Sequence, residues 1–177
     1  MRQKKWERCL VDGYNVIHFW PEYKGLLHQL EEARHRLIHA LAEYGAYEKV
    51  NLTLVFDAMF TDDEEHEERV NAHMTVIYTG AGETADSCIE RLAYAYAKRG
   101  EEVHVVTSDG AEQSVILGAG AYRIPSAELR RRVLRAKKAV RREYLGPVTL
   151  PNVRLDVQDR IDAETVAKLD ALRKQKD

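Results

Sequence analysis

Cysteine is nearly absent: Cys9 and Cys88 are the only two among 177 residues. Neither has a CxxC neighbour and both fall within apolar or helical pattern, which excludes a disulfide framework and a cysteine zinc site and fits a reducing compartment. Long apolar runs are missing as well, and no stretch approaches the roughly 20 residues that a bilayer-spanning helix needs. The opening Met1-Arg2-Gln3-Lys4-Lys5-Trp6-Glu7-Arg8 runs straight into the first strand pattern. It has no signal-peptide pattern, so a soluble, cytoplasmic protein is expected. The chain also lacks a dominant sign of charge: charged residues make up 32% of it, yet the formal net charge is −2, which neither favours nor excludes a polyanionic partner. Internal repeats and low-complexity segments are absent. The glycines of Thr79-Gly80-Ala81-Gly82 come without the Lys-Ser/Thr of a phosphate-binding loop and without the strand-to-helix continuity of a dinucleotide fingerprint, so nucleotide binding gains no support.

What the chain does have is an alternation of strand and helix patterns, which predicts an α/β domain with a central parallel sheet covered on both faces. Its length suits one domain with a sizeable core. Strands are expected at 9–11, 50–56, 73–78, 103–107 and 121–124. A helix is expected over 22–47, where Leu26, Leu30, Ala33, Leu37, Leu41 and Tyr44 share one stripe. A second helix over 85–98 has Thr84 as N-cap and Gly100 as its stop. A short helix is expected at 111–117 and a long one at 125–145. The acidic run over 61–68 reads as a solvated loop or helix face. Gly146-Pro147 with Pro151 marks the one boundary, dividing a domain at 1–145 from a tail at 146–177 whose helix begins at Asp162.

The stretch Leu10-Val11-Asp12-Gly13-Tyr14-Asn15 puts a carboxylate, a glycine and an amide where an apolar run ends. Open α/β sheets build their sites at the carboxyl ends of strands. Asp57 ends the run 52–56, Asp109 follows 103–108, and Asp86 opens a helix. Four carboxylates at one sheet edge repel one another unless a divalent cation neutralises them, which outlines a metal site. Each also has a local reading: Asp12 shaping a turn, Asp86 serving the helix dipole, Asp109-Gly110 as a turn, Asn15 as a cap. Glu83 and Glu90 are open between outer ligand and surface ion pair. His28, Glu32, His35 and His39 have a metal-like spacing, but they lie opposite the apolar stripe and read as a solvated face. Trp6, Trp20, Tyr94 and Tyr96 read as packing rather than base stacking.

The segment 125–145 is the second strong feature. Leu129, Val133, Ala136 and Val140 form an apolar stripe, and Arg131, Arg135, Lys138 and Arg142 line the opposite face. From Arg123 to Arg142 there are nine basic residues and one acid, Glu128. A solvated helix mixes signs, so a phosphate-binding stripe for nucleic acid is expected. A membrane-surface helix is disfavoured by the narrow stripe with no Trp or Phe.

Taken in order, Val11-Asp12-Gly13-Tyr14-Asn15-Val16-Ile17, Val55-Phe56-Asp57-Ala58, Glu83-Thr84-Ala85-Asp86 with Ile89-Glu90, and Thr107-Ser108-Asp109 resemble the NYN-domain nucleases of the bacterial YacP-like group, relatives of PIN-domain ribonucleases. The resemblance spans about residues 8 to 145. It implies a PIN-like three-layer fold with a basic C-terminal helical extension, Mg²⁺ or Mn²⁺ as cofactor, and endoribonuclease activity on single-stranded RNA. Its bacterial members look like ribosome-associated messenger-RNA endonucleases, which implies messenger RNA and the ribosome as partners. Carried over by position, Asp12, Asp86 and Asp109 are metal-binding acids, Asp57 a further acidic position and Asn15 an orienting amide. Ser87 departs from the pattern, since relatives often place a second acid there. Carboxylates suit the chemistry because they hold a hard cation, leave positions open for water and phosphate, and let the metal acidify that water. A catalytically silent RNA- or ribosome-binding module is the alternative. A haloacid-dehalogenase-type phosphatase is disfavoured because its second Asp, two residues after the first, is Tyr14 here.

Overall fold

A computed structural model describes residues 7–57, 64–108 and 120–146. In chain order the elements are β1 (Arg8–Asp12), α1 (Gly13–Phe19), a 3-10 helix (Pro21–Leu26), α2 (Leu30–Glu48), β2 (Asn51–Phe56), β3 (His66–Asn71), β4 (Met74–Tyr78), α3 (Ala85–Lys98), β5 (Val103–Thr107), β6 (Tyr122–Pro125) and α4 (Ser126–Leu145). The strands form one sheet in the order β3-β4-β2-β1-β5-β6. All neighbours are parallel except β3 and β4. The described residues up to Glu143 belong to one compact unit. The expected helix at 111–117 and the tail from 147 onward lie outside the described residues, as does Trp6.

Successive strand residues point to opposite faces, and the strands are apolar on both, as a buried parallel sheet requires. Cys9, Val11, Leu52, Leu54, Phe56, Met74, Val76 and Val106 pack with Leu37 and Leu41 of α2 and Leu129, Val133 and Ala136 of α4. On the other face Leu10, Val55, Ile77, Val103 and Val105 pack with Ala85, Cys88, Ile89 and Ala93 of α3. The result is three layers. The two free cysteines lie on opposite sides of the sheet, so the absence of a disulfide follows from the topology.

The helix expected over 22–47 is broken. Pro21 opens a 3-10 segment, and α2 starts only at Leu30. Gly25 lowers helix propensity by about 1 kcal/mol relative to Ala. Tertiary anchors hold the tighter turn: Tyr23 stacks on buried Trp20 at 6.1 Å, and the Trp20 indole donates to Ser126 Oγ at 2.9 Å. The seven-residue α1 carries too little periodicity to be read in advance. A second correction concerns the acidic run: its last three residues, 66–68, open an antiparallel edge strand, His66–Asn71, rather than a loop or helix face. Edge strands tolerate charge because one rim meets water. The sheet is therefore mixed, not wholly parallel. In contrast, α3 keeps its expected bounds, with Thr84 capping the Ser87 amide and Gly100 at φ 79 beyond its end.

Candidate functional site

The chain leaves β1 toward β2 on one side and later crosses back to β5 on the other, so the strand order reverses at β1 and the carboxyl ends of β1 and β5 flank a switch point. Asp12 is the last residue of β1 and half-buried. Its Oδ1 accepts the Asn15 backbone N–H at 2.9 Å, making it the N-cap of α1. The local reading of Asp12 is thus realised. Asn15 does not cap through its side chain. Its Oδ1 accepts from the Ser108 hydroxyl at 2.9 Å, across 93 residues of sequence. That bond ties α1 to the end of β5 over the switch point, and the sequence reading did not assign Ser108 a role. The only sequence signal was its place beside Asp109 in Thr107-Ser108-Asp109.

Gly13 lets the first turn of α1 lie against the Phe56 ring at the end of β2. A Cβ there would lie 2.3 Å from the Phe56 ring, so a side chain cannot fit. Asp57 follows β2, next to β1, and is half-buried. Asp86 is exposed in the first turn of α3, whose N-terminal end carries the positive helix dipole. Asp109 lies outside the described residues. Among the described residues no three His, Cys, Asp or Glu side chains come together as an ion site. The structure thus gathers Asp12, Asn15 and Ser108 by direct hydrogen bonds and places Asp57 on the neighbouring strand end, while the acid set as a whole is not assembled by the described residues. The donor chemistry, hard carboxylate oxygens, fits Mg²⁺ or Mn²⁺.

Glu83 is an ion-pair residue: Arg91 donates to both of its oxygens at 3.1 Å and to Glu65 at 2.8 Å. Glu90 is exposed. The solvated reading of His28, Glu32, His35 and His39 holds, as all four are exposed. Trp20 is core, Tyr96 carries Arg8 over its ring at 3.9 Å, and Tyr94 is exposed.

Helix α4 shows the two faces read from the sequence. Leu129, Val133 and Ala136 are buried, Val140 is half-buried, and Arg131, Arg135, Lys138 and Arg142 are exposed. Part of the charge is internally engaged, since Glu128 pairs with Arg131 and with Arg132, and Arg130 binds Glu22 at 2.9 Å. Because Pro125 pairs with Thr107 at the carboxyl edge, α4 starts at that edge. From Arg131 to Arg142 its stripe covers roughly 16 Å at about 1.5 Å per residue.

The chain matches the profile of the YacP-like NYN domain over residues 9–174. It is 42% identical over 134 residues to the uncharacterised protein YacP of Bacillus subtilis, covering 75% of this chain and 78% of that one. The crystal structure of Rae1 (YacP) from Bacillus subtilis superposes with a TM-score of 0.67 at 34% identity, covering 96% of this chain and 91% of that one. Its tryptophan-to-leucine mutant gives 0.68 at 37% identity, covering 86% and 89%. The architecture is accordingly the PIN-like NYN fold.

Proposed function

The chain belongs to the YacP-like NYN domain family, a nuclease-type domain, and from that premise we propose that it is a divalent-metal-dependent endoribonuclease cleaving single-stranded RNA in the cytoplasm, with messenger RNA on the ribosome as substrate. The observation that carries this reading is the Asp12–Asn15–Ser108 linkage at the switch point, with Asp57 on the adjoining strand end. In this reading Asp12, Asp86 and Asp109 hold Mg²⁺ or Mn²⁺. Such an ion, when bound, acidifies a water and offsets the charge that gathers on the phosphate.

The chain's own residues have separable tasks. Asp12 keeps one oxygen on the Asn15 amide, which fixes the carboxylate's orientation. Ser108 occupies the Asn15 Oδ1, which turns the amide NH₂ into the donor offered to an anionic substrate. Arg135, Lys138 and Arg142 hold the phosphates of the strand leading away from the edge. No described helix is long and apolar enough to cross a membrane.

Incubating the purified chain with single-stranded RNA and Mg²⁺ or Mn²⁺, with and without chelator, tests the reading. Internal cleavage that stops on chelation and in Asp12→Asn supports it. RNA binding without cleavage under any divalent ion overturns it in favour of the silent binding module.

A further inference from the structure

A row of rings runs along the same sheet edge. Tyr14 meets Phe56 edge-on at 5.1 Å, Phe56 stacks on Tyr78 at 5.7 Å and 22°, and Tyr78 stacks on His66 at 4.6 Å and 18°. The register explains the row, because Phe56 pairs with Tyr78 and Tyr78 with His66 across β2, β4 and β3. Three rings are therefore nearly parallel, and the last of them, His66, is exposed on the edge strand. Cross-strand pairing accounts for the contact of His66 with Tyr78. Among the described residues no further ring stacks on His66, so the row ends on an exposed ring.

We propose that His66 is a nucleobase-stacking subsite that takes one base of the single-stranded RNA; the proposal rests on the endoribonuclease reading above. Base–aromatic stacking on a protein platform is the sequence-tolerant way to hold a single strand. The row begins at Tyr14, two residues after Asp12, and passes through Phe56, which precedes Asp57. His66 lies three strands from β1, roughly 14 Å at about 4.8 Å per strand, so the held base belongs to a nucleotide displaced along the strand from the scissile phosphate. The surroundings select a base over a phosphate. Glu68, two residues along β3 and so on the same face as His66, is exposed, as is Glu64; Glu67 points to the opposite face, and Glu65 is engaged by Arg91 of α3. Negative charge there repels the backbone and leaves the uncharged ring as the partner. Arg34, whose Nη1 lies 3.5 Å from the Tyr14 hydroxyl, is a cation on the inner part of the row.

The test measures binding in chelator, so that no cleavage intervenes, of an adenosine oligomer and of an abasic ribose-phosphate oligomer of the same length. His66→Ala should weaken the adenosine oligomer by about five- to tenfold, the low end of a stacking contact, and leave the abasic oligomer unchanged. His66→Phe should restore the affinity. The slope of log affinity against log salt should not move, because a stacked base releases no counterions. Circular dichroism confirms that each variant is folded. Equal weakening of both oligomers, no effect of a folded His66→Ala, or a wild type that binds the two oligomers equally would each overturn the subsite while leaving the RNA reading in place. A wild type that binds neither oligomer overturns the RNA reading and the subsite with it.

Discussion

At the scale of single residues, Asp12-Gly13-Tyr14-Asn15 does several things within four positions. Gly13 is required by packing rather than by backbone angle, since a Cβ would meet three atoms of the Phe56 ring between 2.3 and 2.8 Å. Phe56 is fully buried and has no room to retreat. Gly13→Ala is expected to cost about 1–3 kcal/mol, the usual range for overpacking, measured by urea unfolding; an unchanged midpoint would contradict the contact. Asp12 separates structure from chemistry. Asn is as good an N-cap as Asp, so Asp12→Asn should keep the fold and abolish cleavage. Asp12→Ala should abolish cleavage and also lose about 1 kcal/mol from the missing cap. Retention of chelator-sensitive cleavage by purified Asp12→Asn would remove Asp12 from the reaction. The sequence displayed this acid because it ends an apolar run. It did not display the Ser108–Asn15 bond, because the partners are 93 residues apart and only the strand order brings them together.

At the scale of elements, legibility followed how local the signal was. Helix α3 was readable to its ends because its cap, Thr84, and its stop, Gly100, are both in the adjoining sequence. Strand β3 was not, because His-Glu-Glu-Arg-Val-Asn has no apolar alternation and owes its conformation to pairing with β4. Helix α4 is held from outside by Glu22 and from within by Glu128. For Glu22, burial alone would raise the pKa, but the Arg130 hydrogen bond, a backbone hydrogen bond and the guanidinium charge outweigh it and leave the carboxyl below its usual value. Arg131 and Arg132 act on Glu128 in the same way, again against burial. A depressed folded pKa gives stability that is present above the unfolded value and is lost as pH falls through the folded one. Urea midpoints followed from about pH 6 down to about pH 3 should therefore fall, and Glu22→Gln should be weaker at the upper end with a shallower descent. Glu22 is partly exposed, so added salt should shrink the difference. The outward stripe gives a separate prediction. Changing Arg131, Arg135, Lys138 and Arg142 together to Gln should weaken RNA binding at all sequences and flatten the salt slope by about 0.7 per lost phosphate contact. Arg131 is already paired with Glu128, so the fall should be smaller than the roughly 3 that four equal contacts would give. An unchanged slope in the folded variant would mean the stripe is only a solvated face.

At the scale of the whole described unit, the alternation of strand and helix patterns announced the layers, but the order β3-β4-β2-β1-β5-β6 was set by pairings that local sequence does not encode. That order brings Asp12 and Ser108 to neighbouring strand ends, while Asp86 rides on α3. Productive chemistry in the proposed site then requires that α3 and the sheet move as one body, and the two thiols test this. Burial pushes the Cys9 thiol up to about 12, with Arg132 opposing. It pushes the Cys88 thiol up to about 11, with Glu83 adding to the effect and Arg91 opposing it. An ordinary thiol, near about 8.5, alkylates readily at mildly alkaline pH, whereas both of these should resist iodoacetamide until the fold opens. Cys9 reports on the layer of α2 and α4, and Cys88 on the layer of α3. If the layers open together, their labelling should rise at the same urea concentration, read by peptide mass spectrometry. If Cys88 is labelled well before Cys9, α3 detaches on its own. The acid it carries would then be held to the sheet only weakly, and a metal site shared by Asp12 and Asp86 would need the bound ion itself to keep the two elements together.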